Sequence, residues 1–178
     1  MTMEALPKRK RIRLPDYDYS SAGAYFVTFC THEKRCFLSE IHVGAIHESP
    51  AEAVRLSAAG EMVRQCVCLL PERFPELKVD HFVIMPNHVH LLLRIDGERA
   101  IRESPLQTKG DCKRALLGKA IGFLKMNSSK QIHRLFPDLS VWQRSFYEHI
   151  IRNENDYLEI WTYIENNPLK WAQDRFCE

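Results

Sequence analysis

The sequence has no apolar run approaching the ~20 residues that a membrane-crossing helix requires, so a spanning protein is not expected. Its six cysteines, Cys30, Cys36, Cys66, Cys68, Cys112 and Cys177, include no Cys-x-x-Cys pair. That removes the usual signature of a structural zinc site or a dithiol redox centre. No internal repeat is visible, which argues against a solenoid or a propeller. A surplus of one charge is lacking as well, since the formal net charge is only +2 at pH 7. Attraction to a polyanion must therefore come from local clusters. No secretory segment is recognisable, and the expectation is a cytoplasmic protein whose cysteines are reduced and mostly buried.

What is present suits a globular chain. With 178 residues, 45% hydrophobic and 10% aromatic, there is material for one full core. We expect a single domain over residues 1–178, with 1–20 as a basic N-terminal arm and 153–170 as a terminal helix.

Apolar periodicity supplies the elements. Ala24 to Cys30 is aromatic and β-branched and reads as the first strand, followed by the polar loop Thr31 to Arg35. Residues Gly44 to Leu56 resist assignment beyond a short hairpin around Ser49-Pro50. Ala58 to Leu70 carries a helical stripe of Met62, Val63, Cys66, Val67, Leu69 and Leu70, which Ser57 can cap and Pro71 and Pro75 can close. Val79 to Ile95 reads as two strands around a Pro86-Asn87 break. Cys112 to Gln131 has Leu116, Leu117, Ala120, Ile121 and Leu124 on one helical stripe. Ser140 to Arg152 alternates as a last strand or an extended segment, and Asn153 or Asn155 caps a final helix that stops at Asn167-Pro168. Strand, helix, strand, strand, helix, strand is the order of the α+β ferredoxin-like split βαβ fold, an antiparallel sheet with two crossover helices. Here it gains a C-terminal helix.

Chemistry concentrates in two places. Side chains alternate along a strand, so His88 and His90 point to one face while Val89 points to the other. Two neutral imidazoles on one face can supply two cis ligands to a divalent metal. The same pattern also serves as the polar face of a half-buried sheet. On the final helix, Asp156, Ile160, Tyr163 and Asn167 share a face at steps of four, three and four. Were that face to lie over the histidines, the Asn167 amide oxygen could complete a metal site with Tyr163 beside it. A phenol, with a pKa of about 10, becomes a nucleophile when a nearby metal or base favours the phenolate. A tyrosine at this place also reads as a core or interface residue, and Asn166-Asn167-Pro168 as an ordinary helix stop.

Basic clusters are the third signal. Lys8-Arg9-Lys10-Arg11-Ile12-Arg13, followed by Tyr17 and Tyr19, reads either as an arm that follows a phosphate backbone or as a solvated terminus. The second helix carries Lys113, Arg114, Lys119, Lys125 and Lys130 against Asp111 alone, which points to a patch for a polyanion.

Three separated stretches carry a resemblance. Phe-Val-Ile-Met-Pro-Asn-His-Val-His over Phe82 to His90, Trp-Gln-Arg-Ser-Phe-Tyr-Glu-His-Ile-Ile-Arg-Asn over Trp142 to Asn153, and Tyr-Ile-Glu-Asn-Asn-Pro-Leu-Lys-Trp over Tyr163 to Trp171 resemble the REP-associated tyrosine transposases. These are IS200-like members of the single-tyrosine HUH superfamily. Arg11 to Ser20 and Ala24 to Thr31 resemble the family's opening, so the likeness runs over nearly the whole chain.

The resemblance implies that His88 and His90 ligate a divalent metal, Mg or Mn, and that Tyr163 is the nucleophile. Asn167 falls where relatives carry a polar third ligand, often glutamine. The implied substrate is single-stranded DNA with palindromic hairpins, cleaved and rejoined near a short guide sequence through a 5′-phosphotyrosine. Lys8, Arg9, Lys10, Arg11, Arg13, Lys113, Arg114, Lys119, Lys125 and Arg152 are the candidate DNA contacts. Tyr147, Tyr157 and His149 are assigned to packing or DNA contact, and His42 to Ala53 departs from the family as a small insertion. The alternative function is a domesticated binder of repetitive palindromes that does not cleave them. A homodimer whose tyrosine helix reaches the partner's sheet, and a monomer whose helix reaches its own, both remain open.

Overall fold

A computed structural model of the chain describes residues 23–42, 53–96 and 115–173. Expectations that fall on the basic arm, on most of the His42 to Ala53 insertion, on Lys113 and Arg114, and on Cys112 and Cys177 lie outside the described residues.

Four strands form one antiparallel sheet: β1 (Gly23–Cys30), β4 (Leu77–Ile84), β5 (His88–Ile95) and β6 (Tyr147–Ile151), in the order β4-β5-β1-β6. A separate antiparallel ribbon pairs β2 (Ser39–Ile41) with β3 (Val54–Leu56) and flanks the stretch where a short hairpin was expected. The helices are α1 (Ala58–Cys68), the short α2 (Leu70–Arg73), α3 (Ala115–Ile132) and α4 (Glu154–Asn166). This is the expected ferredoxin-like sheet with its two crossover helices and an added C-terminal helix.

β1 lies in mid-sheet and is covered on both faces, which is why it reads as an almost unbroken apolar run. Tyr25, Val27 and Phe29 enter the larger core with Leu91, Leu93 and Ile95 of β5, closed by Val63 and Val67 of α1 and Leu117, Ile121 and Leu124 of α3. The intervening Phe26 joins Leu92, Ile151 and Ile164 in a thinner layer under α4. Alternation thus sorts one strand's residues between two cores.

Local signals explain the element ends. The Ser57 hydroxyl accepts from the Gly60 N–H at 3.1 Å and caps α1 as expected. Pro71 does more than close that helix: it sits in the first turn of α2, where its missing N–H leaves no bond unmade. Asn153, rather than Asn155, caps α4, its side-chain oxygen accepting from the Asp156 N–H at 2.9 Å. Of the Ser140 to Arg152 stretch only Tyr147–Ile151 is strand, and Trp142 makes an isolated bridge to Thr31. Among the four described cysteines, Cys66 alone is buried, Cys30 is half-buried, and Cys36 and Cys68 are exposed, so the expectation of mostly buried thiols does not hold there. No helix of the described residues is long and apolar enough to cross a membrane.

Gly60 sits where α1 passes the Leu38 carbonyl, and a Cβ there would lie 2.0 Å from that oxygen. The same oxygen accepts from the Ser57 N–H at 2.9 Å, so it cannot simply move away. Alanine normally gains about 1 kcal/mol over glycine inside a helix. Gly60→Ala is expected to reverse that sign and to cost about 2 kcal/mol through overpacking, read as a lower midpoint in urea denaturation.

Candidate active site

The histidines owe their position to a tight turn. The Met85 N–H donates to the His88 carbonyl at 2.9 Å, closing β4 onto β5 across Pro86-Asn87. Val89 then enters the larger core, and His88 and His90 face the α4 layer. Both imidazoles are fully buried, at 0% exposure. Burying two such groups is tolerable only when their nitrogens are hydrogen-bonded.

Each outer nitrogen has an oxygen beside it. His88 Nδ1 lies 2.8 Å from Asn87 Oδ1, and His90 Nδ1 lies 2.7 Å from Thr28 Oγ1. The Asn87 amide nitrogen donates to the Lys34 carbonyl at 3.2 Å, which fixes the amide's orientation. Since the Asn87 oxygen can only accept, His88 Nδ1 carries the proton and His88 Nε2 presents its lone pair. The two Nε2 atoms converge to 3.0 Å. With His88 Nε2 as acceptor, His90 Nε2–H donates to it, and the Thr28 hydroxyl donates to His90 Nδ1. Rotation of that hydroxyl and a change of tautomer at His90 would turn both Nε2 lone pairs into the same space.

That space fits the metal which the sequence resemblance implies. Two ligand atoms in cis positions, each ~2.1 Å from one cation, stand about 3.0 Å apart. The imidazole pair meets that spacing; His88 Nδ1–H already donates as the outer nitrogen of a ligating histidine does, and His90 Nδ1 would do so in its other tautomer. Among the described residues no cluster of three His, Cys, Asp or Glu side chains completes a site. A third side-chain donor from the described residues would therefore be an amide or a hydroxyl. Asn167 closes the C-terminal end of α4 and is 2% exposed, with its Oδ1 enclosed.

α4 is seated by both apolar and polar contacts. Tyr157, Ile160, Trp161 and Ile164 pack on Phe26, Leu92 and Ile151. The buried centre of the helix is therefore Ile164, one position from Tyr163, and not the centre of the stripe from Asp156 to Asn167. His81 of β4 stacks on Trp161 at 4.5 Å and 17°, and burial pulls its pKa below the usual histidine range, with Glu165 opposing. The Tyr157 hydroxyl donates to Asp80 at 3.0 Å, and Arg94 holds the other Asp80 oxygen at 3.0 Å. On the opposite side His149 meets Asp156 at 3.0 Å. Tyr157 and His149 thus have packing and clamping roles, while Tyr147 is exposed.

With the helix so held, Tyr163 reaches the imidazoles of its own chain. Its hydroxyl lies 3.4 Å from His90 Nε2, and its ring meets the Phe26 ring edge-on at 5.9 Å. Tyr163 remains 41% exposed, in contrast to the two imidazoles it meets. Trp171 comes within 5.9 Å of His88, ring centre to ring centre. Tyr163 and Trp171 flank the histidines, with Asn167 between them in the chain.

The candidate DNA contacts divide. Lys119 and Arg152 are exposed. Lys125 is not part of an outward patch: its ammonium donates to the Gln143 and Ser145 carbonyls at 2.6 and 2.7 Å, and burial lowers its pKa. Lys8, Arg9, Lys10, Arg11, Arg13, Lys113 and Arg114 lie outside the described residues. Sequence reading missed Thr28, Asn87 and Trp171. Thr28 could have been noticed as a hydroxyl inside an apolar strand, but only the register that sets it opposite His90 reveals what it does.

No family model matches the chain. An uncharacterized protein of Haemophilus influenzae Rd is 35% identical over 175 residues, a match covering 94% of this chain and 92% of that one. A second protein of the same organism, described as "Putative REP-associated tyrosine transposase", is 36% identical over 90 residues, covering 49% of this chain and 47% of its own length. Among solved structures, a REP-associated tyrosine transposase bound to a REP hairpin superposes with a TM-score of 0.58 at 20% identity. It covers 96% of this chain and 77% of that one, and at such identity the likeness is one of fold. The chain is thus similar along its length to an uncharacterized protein, over 49% of it to a putative REP-associated tyrosine transposase, and in fold to a REP-associated tyrosine transposase.

Proposed function

We propose that the chain is a metal-dependent single-stranded DNA transposase and endonuclease that cuts and rejoins DNA near palindromic hairpins. The observation that carries this reading is the approach of the Tyr163 hydroxyl to within 3.4 Å of His90 Nε2, beside the buried imidazole pair. A hairpin substrate is supported by the solved relative, which is bound to a REP hairpin.

The Tyr163 oxygen attacks the phosphorus, the bond from phosphorus to O3′ breaks, and the phenol's proton is balanced by the one the departing 3′ oxygen acquires. DNA then carries a free 3′-OH, and the 5′ phosphate is joined to Tyr163. One phosphodiester has replaced another, so rejoining needs no nucleotide cofactor. His88, His90 and Asn167 would hold a divalent cation, Mg or Mn, whose charge would stabilise the pentacoordinate transition state and favour the phenolate. Two imidazoles favour a transition cation over magnesium, which makes manganese the better probe. Asn87 and Thr28 keep the imidazoles turned toward one another, and the seating of α4 aims the phenol at them. The phenol's approach to the imidazoles of its own chain supports an arrangement in which one subunit supplies all these groups. Exposed Arg152, Lys119 and the basic residues from Lys8 to Arg13 would contact the DNA backbone.

Incubation with a hairpin-bearing oligonucleotide and Mn2+ should yield a covalent adduct on a denaturing gel. Tyr163→Phe should abolish it while leaving hairpin affinity within about twofold, since a phenol hydroxyl adds little to backbone binding. An adduct that survives Tyr163→Phe would refute the assignment. Titration with Mn2+ followed by calorimetry checks the cradle separately. Thr28→Val should weaken binding roughly tenfold, as loss of a supporting hydrogen bond to a metal-ligating histidine does, while Thr28→Ser should retain it.

A further inference from the structure

On the far side of the sheet from the candidate active site, a groove of about 750 Å³ runs between α3 and the 137–146 segment. Its volume lies in the range of ligand sites. Three ties hold its walls. Lys125 grips the Gln143 and Ser145 carbonyls, the Trp142 indole donates to Ser128 Oγ at 3.0 Å, and His133 Nε2 lies 2.8 Å from the Leu139 carbonyl. Ser145 has a φ of 75°, a left-handed conformation uncommon for a side chain other than glycine. Lys125 of α3 anchors that carbonyl, so the segment is tied to the helix at one end of the groove.

The floor of the groove has no structural need for its composition. Gly118 and Gly122 stand one turn apart inside α3, and a Cβ added at either would meet nothing within 4 Å. Glycine is the least favourable residue in a helix interior after proline. Gly60 shows the ordinary reason for accepting one, a backbone oxygen in the way. Among the described residues the missing Cβ atoms make room for no neighbouring group, and both glycines line the groove. Trp142 and Phe146 line the opposite wall, with Met126 beside the floor.

Charge indicates the occupant. Residues 115–146 carry Lys119, Lys125, Lys130, Arg134 and Arg144 against Asp138 alone, and all of the basic residues except Lys125 are exposed. The groove also begins at the right end of the sheet. The Gln143 N–H donates to the Cys30 carbonyl at 3.0 Å, Thr31 bridges Trp142, and Cys30 is the β1 residue opposite His88. DNA leaving the imidazole pair past the end of β1 would arrive at Trp142 and Arg144.

We propose that this groove binds the single-stranded nucleotides flanking the hairpin, with unstacked bases against the glycine floor and the aromatic wall. Their phosphates run toward Arg144 and the exposed lysines of α3. Base-on-aromatic stacking tolerates any sequence, so the groove holds the flank in place without reading it. The inference rests on the single-stranded DNA reading given above and adds a second site on the opposite layer.

Fluorescence anisotropy with three probes tests it: a blunt hairpin, the same hairpin with single-stranded tails, and a polyglutamate peptide. In the unmodified protein the tails should tighten binding by at least tenfold. Gly122→Leu should erase that gain, leave blunt-hairpin affinity unchanged and raise the thermal midpoint, because leucine is the better helix former. Arg144→Ala should reduce the gain and flatten its salt dependence without filling the groove. A full tail effect in both variants would overturn the groove assignment while leaving the hairpin reading intact. So would peptide binding that Gly122→Leu removes, which would mark an acidic protein segment as the occupant. If the unmodified protein binds neither hairpin, the single-stranded DNA reading itself falls, and the groove assignment with it.

Discussion

The site depends on one antiparallel register. With Thr28 opposite His90 and Cys30 opposite His88, a hydroxyl from mid-sheet is delivered to one imidazole, and the turn residue Asn87 delivers an amide to the other. A slip of one residue would place Val27 or Phe29 opposite His90 and send both imidazoles into hydrocarbon. The long pairing of β1 with β5, buried on both faces, makes that slip prohibitive. The core therefore stabilises the fold and, by the same contacts, sets the angle between the two histidines.

A buried imidazole pair is tolerable because each ring has a partner on its outer side and meets its twin on the inner side. The arrangement is preorganised: Nδ1 of each ring has a partner, and the two Nε2 atoms face each other beside Tyr163. α4 then completes the site from the thinner layer. Its apolar contact with Phe26 and Leu92 is small, and its seating draws on polar clamps at both flanks, Tyr157 to Asp80 over β4 and Asp156 to His149 over β6. Such clamps orient a helix more than they stabilise it. Orientation is what a phenol aimed at a phosphorus atom requires.

Glycine is used in two opposed ways. Gly60 is demanded by the protein itself, since the Leu38 carbonyl occupies the space of a side chain. A Cβ at Gly118 or Gly122 would meet none of the described residues, although glycine weakens a helix interior. Together with the groove beside them and the one-sided charge of the region, the contrast separates a glycine required by a close backbone contact from two that are not.

Much of the architecture was legible along the chain, because hydrophobic period and capping chemistry are local. Ser57, Asn153 and the Pro86-Asn87 break act where they are written, and His-x-His on a strand must present two imidazoles to one face. The sequence could not decide whether those imidazoles met each other, which hydroxyl held His90, whether Tyr163 was accessible, or that Lys125 turns inward to hold two carbonyls. Each of these is a contact between residues distant in the chain, 62 positions apart for Thr28 and His90 and 73 for His90 and Tyr163. Such pairings depend on strand order and on how α4 lies across the sheet, and periodicity carries no information about either. Local chemistry determined which groups could act, and the tertiary fold alone determined which of them meet.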